Sequence, residues 1–415
     1  MSVWINNVFK NFFNIGLYQL AGMLLQLLAI PLITRKYGLE VFGEITLTTS
    51  VAYLLGNLVN YGTNQTAIKE VAVARTDNQS LSQIFSNVFW LRFLVFLIII
   101  TITTITITTT ITTSEKNVFL WLSVFPLILS EIINPLYFLI GIEKIHWISW
   151  GNLITRLLSL LLIFAIAVKY NQAVYMNLFV GVPLLLYYSF IFFYILNKFS
   201  IKLHAPEFYR FKSDITKNFY VTFNGNTALM QQSIFLIFVA GLKNPLLLGA
   251  YGIVDKLLSA TRQIVSSFSM SIYPRAAELY HREKSQWKSF RNKIQNSYAL
   301  FFILVAFTIY FCSHFLVSLL TKDQNEYTIG FVQLFSLAPL LLALNANNVI
   351  DLLLQNQYKS MFCISLIILL ATCIFSFLLS HYYQTISLGY YPVLIEGFCL
   401  IVYSGYLNKL NLHAK

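Results

Sequence analysis

The chain has 415 residues, of which 57% are hydrophobic and only 11% charged, against roughly 25% charged in an ordinary globular protein. Its 28 basic and 16 acidic groups are too few to coat a soluble surface at this length, and its hydrophobicity excludes disorder. What remains is an all-α polytopic membrane protein, in which the net charge of +12 is a topology signal rather than a nucleic-acid footprint.

A transmembrane helix needs about 20 mostly apolar residues. Twelve segments are predicted to span: 12–33, 43–63, 86–111, 118–140, 148–168, 174–197, 219–241, 248–273, 294–320, 330–354, 360–380 and 386–407. The first follows Lys10 without an A-x-A-like cleavage site and reads as an uncleaved span. It carries Tyr18, Gly22 and Gln26 on one face. The third closes on Ile98–Thr113, where Ile and Thr alternate as in a strand. A lone strand cannot cross lipid with unpaired backbone groups. The stretch is therefore predicted to be a β-branched helix whose threonine hydroxyls bond preceding carbonyls.

The fourth span places Glu131 and Asn134 on one face, just before Pro135, and the fifth carries Arg156. A polar linker, 198–217, then divides the chain into an N-terminal six-helix lobe (1–197) and a C-terminal one (218–415). An even number of spans per half gives both halves the same orientation. A faint echo links Tyr37–Gly43 to Asn244–Gly252: each carries an aromatic-Gly pair where the second helix of its half opens. The seventh span carries Asn224, Asn226, Gln231 and Gln232, a set suited either to sugars or to helix-helix hydrogen bonds. The eighth holds Asp255, Lys256, Ser259 and Arg262; the tenth Asn345, Asn348 and Asp351; the twelfth Glu396.

With the N-terminus inside, 18 basic residues fall in cytoplasmic segments, 6 outside and 4 within spans. This split puts both termini in the cytoplasm. The four intramembrane bases are Arg92, Arg156, Lys256 and Arg262, and each costs roughly 2.5–3.5 kcal/mol at mid-helix. Arg92 is expected to snorkel. Arg156 can snorkel or bind phosphate. Asp255, Ser259 and Arg262 share a face, which is either an intrahelical ladder or a wall where Arg262 meets an anion. Glu131, Asp351, Asp255 and Glu396 can carry protons or sodium, or can bond neighbouring helices. Cys312, Cys363, Cys373 and Cys399 sit in apolar runs without zinc spacing and read as buried small hydrophobes. There is no GxxxxGK[ST], HExxH or GxSxG, so no enzyme, cofactor or metal centre is expected.

Several stretches carry a family likeness. Ile30–Gly43 (Ile-Pro-Leu-Ile-Thr-Arg-Lys-Tyr-Gly-Leu-Glu-Val-Phe-Gly) resembles the first-loop motif of Wzx-type O-antigen flippases. Asn60–Ala67, Lys69–Asp77 and Asn134–Lys144 resemble that family's following segments. Gly249-Ala250-Tyr251-Gly252, Asp255-Lys256, Arg262-Gln263 and Tyr273-Pro274-Arg275 follow its span-eight pattern. The resemblance implies two six-helix lobes around a cavity, as in multidrug and polysaccharide exporters, in a bacterial inner membrane. The implied substrate is an undecaprenyl-diphosphate-linked oligosaccharide, with membrane lipid around it and an O-antigen polymerase as a candidate partner. In that reading Arg262 takes the diphosphate, with Arg156 and Lys256 as second choices, and Glu131 or Asp351 couples ions. The alternatives are a cation-coupled multidrug exporter, a peptidoglycan-precursor flippase and a lipid-linked-sugar polymerase or ligase.

Overall fold

The computed structural model describes residues 22–110, 115–169, 175–205, 208–282, 284–322, 324–382 and 385–413. Lys10, Tyr18 and residues 111–113 of the Ile/Thr stretch lie outside them. Within the described residues all regular structure is helical. The elements are α1 (22–37), α2 (Leu39–Asn60), α3 (Thr63–Val73), α4 (Asn78–Thr110), α5 (Glu115–Leu122), α6 (Phe125–Ser130), α7 (Leu136–Gly141), α8 (Ile145–Lys169) and α9 (Tyr175–Lys198). Then follow α10 (Phe208–Gly241), α11 (Pro245–Arg282), α12 (Lys284–Phe311), α13 (Ser313–Leu320), α14 (Glu326–Phe335), α15 (Ala338–Leu354), α16 (Tyr358–Tyr382), a 3-10 turn (Thr385–Tyr390) and α17 (Tyr391–His413).

Among the described residues, seven helical segments are long and apolar enough to cross a bilayer by themselves: Asn78–Thr104, His146–Ala165, Tyr175–Lys198, Gln286–Phe311, Glu326–Leu354, Tyr358–Tyr382 and Thr385–Leu410. The protein is a multi-pass membrane protein. Four other expected spans are helical but fall short of that apolarity or length. The fourth is broken into α5, α6 and α7. The second, seventh and eighth lie in α2, α10 and α11, and the last two helices carry the amides and charges singled out above. The segments expected to be basic loops are largely helical too. α10 starts within 198–217, and α11 and α12 extend through 275–293. Arg275 and Arg282 reach Glu278 at 2.6 and 3.3 Å, pairs at i,i+3 and i,i+4 that suit a helix.

The Ile/Thr stretch is helical to Thr110. Thr101, Thr103 and Thr104 donate their hydroxyls to the carbonyls of Leu97, Ile99 and Ile100 at 2.7–2.9 Å. The hydroxyls are thereby satisfied in lipid without a strand partner. At its other end α4 is capped by Asp77, whose carboxylate accepts the Ser80 hydroxyl and the Gln79 N–H. Those bonds hold its pKa below the usual carboxylate range.

The chain divides into two compact units, one formed by Met1–Ala29 with Thr48–Ser233, the other by Ile30–Leu47 with Ile234–Lys415. In the first, Leu81 and Phe85 of α4, Val71 of α3, Phe138 of α7 and Ile191 and Ile195 of α9 form one buried cluster. Phe85 meets Phe138 edge-on at 5.7 Å. In the second, α15 is central and packs on α11, α12 and α17. It belongs to a segment with 56% of its apolar window buried, against 17% for the α12 segment, which turns most of its face to lipid. Gly43 of α2 and Gly249 of α11 cross there backbone to backbone. A Cβ on Gly249 would lie 2.0 Å from the Leu39 carbonyl oxygen, and one on Gly43 2.4 Å from the Gly249 nitrogen. The two echo segments of the sequence thus meet at a small-residue crossing.

Three cysteines depart from expectation. Cys312, Cys363 and Cys373 are exposed, and only Cys399 is buried. Apolar context does not imply burial in this class, because faces turned to lipid are as apolar as a core.

Candidate functional site

In the first unit the site grows from a broken helix. Pro126 starts α6 and Pro135 precedes α7, and residues 131–135 between them are not α-helical. Breaking a helix at membrane depth frees carbonyls that must find donors. Arg92 supplies them. Its Nη1 donates to the carbonyls of Glu131 (3.2 Å) and Asn134 (2.6 Å), its Nε to Thr63 Oγ1 (2.8 Å) and its Nη2 to Asn64 Oδ1 (2.9 Å). The guanidinium also lies 5.1 Å from the Tyr137 ring centroid. Arg92 has no exposed surface, so the expected snorkelling does not occur. Staying buried satisfies four acceptors at once.

Glu131 turns the other way. Its Oε2 accepts from Asn134 Nδ2 at 2.8 Å and Asn60 Nδ2 at 3.2 Å. The carboxylate is thus held by amides rather than by an ion pair with Arg92. Arg156, on α8, differs from both. Its Nη1 is buried and has no hydrogen-bond partner among the described residues. The side chain lies against Gly22 of α1, where a Cβ would come within 2.8 Å of Nη1. Tyr53 interacts electrostatically with both Arg156 and Glu131, which places the three in one region.

In the second unit the residues expected to bind anion or ion come in pairs. Arg262 Nη2 contacts Glu396 Oε1 at 2.7 Å, joining α11 to α17, and both side chains are largely buried. Lys256 Nζ lies 3.8 Å from Asp255 Oδ2, while Asp255 Oδ1 is buried without a hydrogen-bond partner among the described residues. Tyr251 feels the charges of Asp255, Arg262 and Glu396 together. Its ring meets Phe235 at 4.5 Å, and Phe235 stacks on Tyr391 at 3.7 Å. Asp351 is paired with Arg291 at 2.6 Å and accepts from Trp287 Nε1 at 2.8 Å. Arg291 also donates to Asn348. Sequence reasoning assigned Arg291 to a loop and overlooked Trp287. Their i,i+4 spacing at the start of α12 was the signal that they share a face. Asn226, Gln231 and Gln232 are buried, and the Asn224 side chain lies outside the described residues.

Charge therefore differs between the units. The intramembrane charges of the first are Arg92, Arg156 and Glu131, an excess of one positive charge, and Arg156 is the member with an open donor. In the second, Lys256, Arg262 and Arg291 each stand beside a carboxylate, Asp255, Glu396 and Asp351 respectively. A buried charge without compensation is costly, so an open guanidinium is poised for an anion. Among the described residues no cluster of three metal-ligating side chains occurs.

Comparison with known proteins agrees with this architecture. The sequence model of the family described as "Polysaccharide biosynthesis protein" matches residues 8–280. A protein of Escherichia coli (strain K12) named "Putative O-antigen transporter" is 22% identical over 276 residues, 64% of this chain and 64% of that one, so the match spans less than two thirds of the relative's length. Among solved structures, an inward-facing multidrug resistance MATE family transporter of the MOP superfamily superimposes with a TM-score of 0.74 at 13% identity. It covers 96% of this chain and 95% of that one. An outward-facing structure from the same family gives 0.64 at 13% identity, covering 98% and 96%. The fold is MATE-like.

Proposed function

The chain belongs to the polysaccharide biosynthesis protein family, and from that premise we propose that it is a lipid-linked oligosaccharide flippase. In this reading it moves an undecaprenyl-diphosphate-linked O-antigen repeat unit from the cytoplasmic to the periplasmic leaflet of a bacterial inner membrane. Transport is by alternating access, and no covalent bond is made or broken. The E. coli relative's name supports the cargo, and the MATE-like fold supports transport.

The observation that carries the reading is the Arg156 guanidinium, with its buried, unpartnered Nη1 in a unit whose intramembrane charge is positive. A diphosphate supplies acceptor oxygens in the planar geometry a guanidinium matches. Arg156 therefore ranks ahead of Arg262 as the first diphosphate ligand. Arg262 and Lys256 already face carboxylates and are the second choices. Asp255, with one unpartnered oxygen, is the carboxylate best placed to take up a proton or cation. Glu131 and Asp351 hold their neighbours in place.

A multidrug exporter for cations shares the fold, and Asp255 offers an open carboxylate, but the family match and the relative's name favour the polysaccharide cargo. The test is Arg156→Ala at matched protein level. Lipid-linked repeat units should accumulate on the cytoplasmic leaflet and flipping in proteoliposomes should fall about 10- to 100-fold, since charge-assisted bonds contribute ~1.5–3 kcal/mol. Arg156→Lys should retain part of the activity. Unchanged surface polysaccharide in the Ala variant would sink the assignment.

A further inference from the structure

The segment that joins α9 to α10 is strapped to the start of α4. The backbone N–H of Lys202 donates to Ser82 Oγ (3.3 Å) and that of His204 to Ser86 Oγ (3.0 Å), while Trp90 Nε1 donates to the His204 carbonyl (2.9 Å). Between strap and helix lies a groove of about 310 Å³, walled by Gln79, Gln83, Ser86 and Asn87 on α4 and by His204 and Ala205. That volume is at the lower end of small-ligand sites. From Gln79 to Asn87 the wall runs about 12 Å along the helix. Behind Asn87 a narrow cleft of about 20 Å³ continues to Thr66 of α3 and Asn218 of α10.

The inner end of this track holds two amides in an unusual state. Asn87 is 8% exposed and Asn218 4%. Neither side chain makes a hydrogen bond to any described residue, although both line the cleft and Asn87 lines the groove as well. Their polar atoms open on the groove and cleft they line, where a partner can offer donors and acceptors at once. The wall is amide and hydroxyl. Among the described residues no Lys, Arg, Asp or Glu lines the groove, His204 being its one ionisable side chain, and the carboxylate in the cleft is Glu70. That chemistry does not suit a phosphate. It suits a sugar, whose hydroxyl and acetamido groups each donate and accept, as Asn and Gln side chains do.

We infer that this groove binds a sugar residue of the transported unit, with Asn87 and Asn218 completing their hydrogen bonds on its hydroxyl or acetamido groups. The inference rests on the flippase reading for its ligand. It separates the recognition of the two parts of the substrate, the sugar by uncharged amides along α4 and the diphosphate by Arg156. Trp90 fixes the strap, and its emission reports on occupancy.

The experiment uses the full chain in lipid nanodiscs with two probes: free oligosaccharide released from the host's own polysaccharide by mild acid, and sugarless undecaprenyl diphosphate. Asn87→Leu should weaken oligosaccharide binding about tenfold, followed by calorimetry and tryptophan emission, and leave undecaprenyl diphosphate binding within twofold. Arg156→Ala should do the reverse. Gln79→Ala, an exposed position on the same wall, should weaken oligosaccharide binding severalfold without a folding defect, and so covers the case in which Asn87→Leu misfolds. Oligosaccharide that does not bind the wild type, or that binds all variants equally, overturns the sugar groove even where the lipid-linked unit is still flipped. Failure of the wild type to flip that unit overturns the flippase reading instead, and measured oligosaccharide binding then still decides the groove.

Discussion

Arg92 shows why a charge within the membrane is read by its partners rather than by its depth. A guanidinium costs less buried than snorkelled when two carbonyls freed by a broken helix and two side-chain oxygens of α3 point at it. Replacing it strands those acceptors, so Arg92→Ala should cost at least ~3 kcal/mol, given ~1–3 kcal/mol per unsatisfied buried group. The thermal midpoint in detergent should fall and the 131–135 turn should become sensitive to protease. Arg92→Lys should rescue only part, because an ammonium cannot present the guanidinium's fork. An Ala variant with unchanged midpoint would remove Arg92 from this role. Arg156 differs from Arg92 in its partners: its Nη1 meets no acceptor among the described residues.

At the scale of elements, the same residue type has opposite value in different helices. Glycine inside a helix ordinarily costs up to ~1 kcal/mol relative to alanine. Gly405 of α17 has nothing within 4 Å of a built Cβ, so Gly405→Ala should stabilise by ~0.5–1 kcal/mol. Gly249→Ala puts a methyl 2.0 Å from the Leu39 carbonyl oxygen. Backbone cannot yield there as a side chain can, so this variant should destabilise by at least ~1–3 kcal/mol. Paired thermal unfolding of the two variants checks the contrast, and equal midpoints would refute the tight crossing of α2 and α11. The helix α4 makes a related point. Its Ile/Thr alternation favours a strand locally, yet lipid leaves a helix as the way to satisfy each backbone group, and the threonine hydroxyls fold back on carbonyls.

For the whole molecule, the 18-to-6 division of basic residues predicts orientation. Reporter fusions in the 201–205 strap and after His413 should read as cytoplasmic, and a fusion at Lys243 as external. A periplasmic signal from the strap would reverse the direction of transport proposed above. Membrane class, helical architecture and the short roster of charges worth mutating were legible in the sequence, because scarcity of charge in an apolar chain makes each one conspicuous. The sequence also singled out Arg262 first, since it shares a helix face with Asp255 and Ser259 and a guanidinium suits phosphate. What it could not show is that Glu396, 134 residues away, reaches Arg262 at 2.7 Å, or that Arg291 and Trp287 take Asp351. Nor did Asn87 and Asn218 stand out, being ordinary amides until α3, α4 and α10 close around them. Composition and hydropathy by themselves determined that this chain lives in a bilayer as helices, because every backbone group must be satisfied within its own segment. Which charges cancel, and which one is left open for a substrate, was decided only by tertiary structure, because electrostatic compensation depends on distances across helices that no linear spacing encodes.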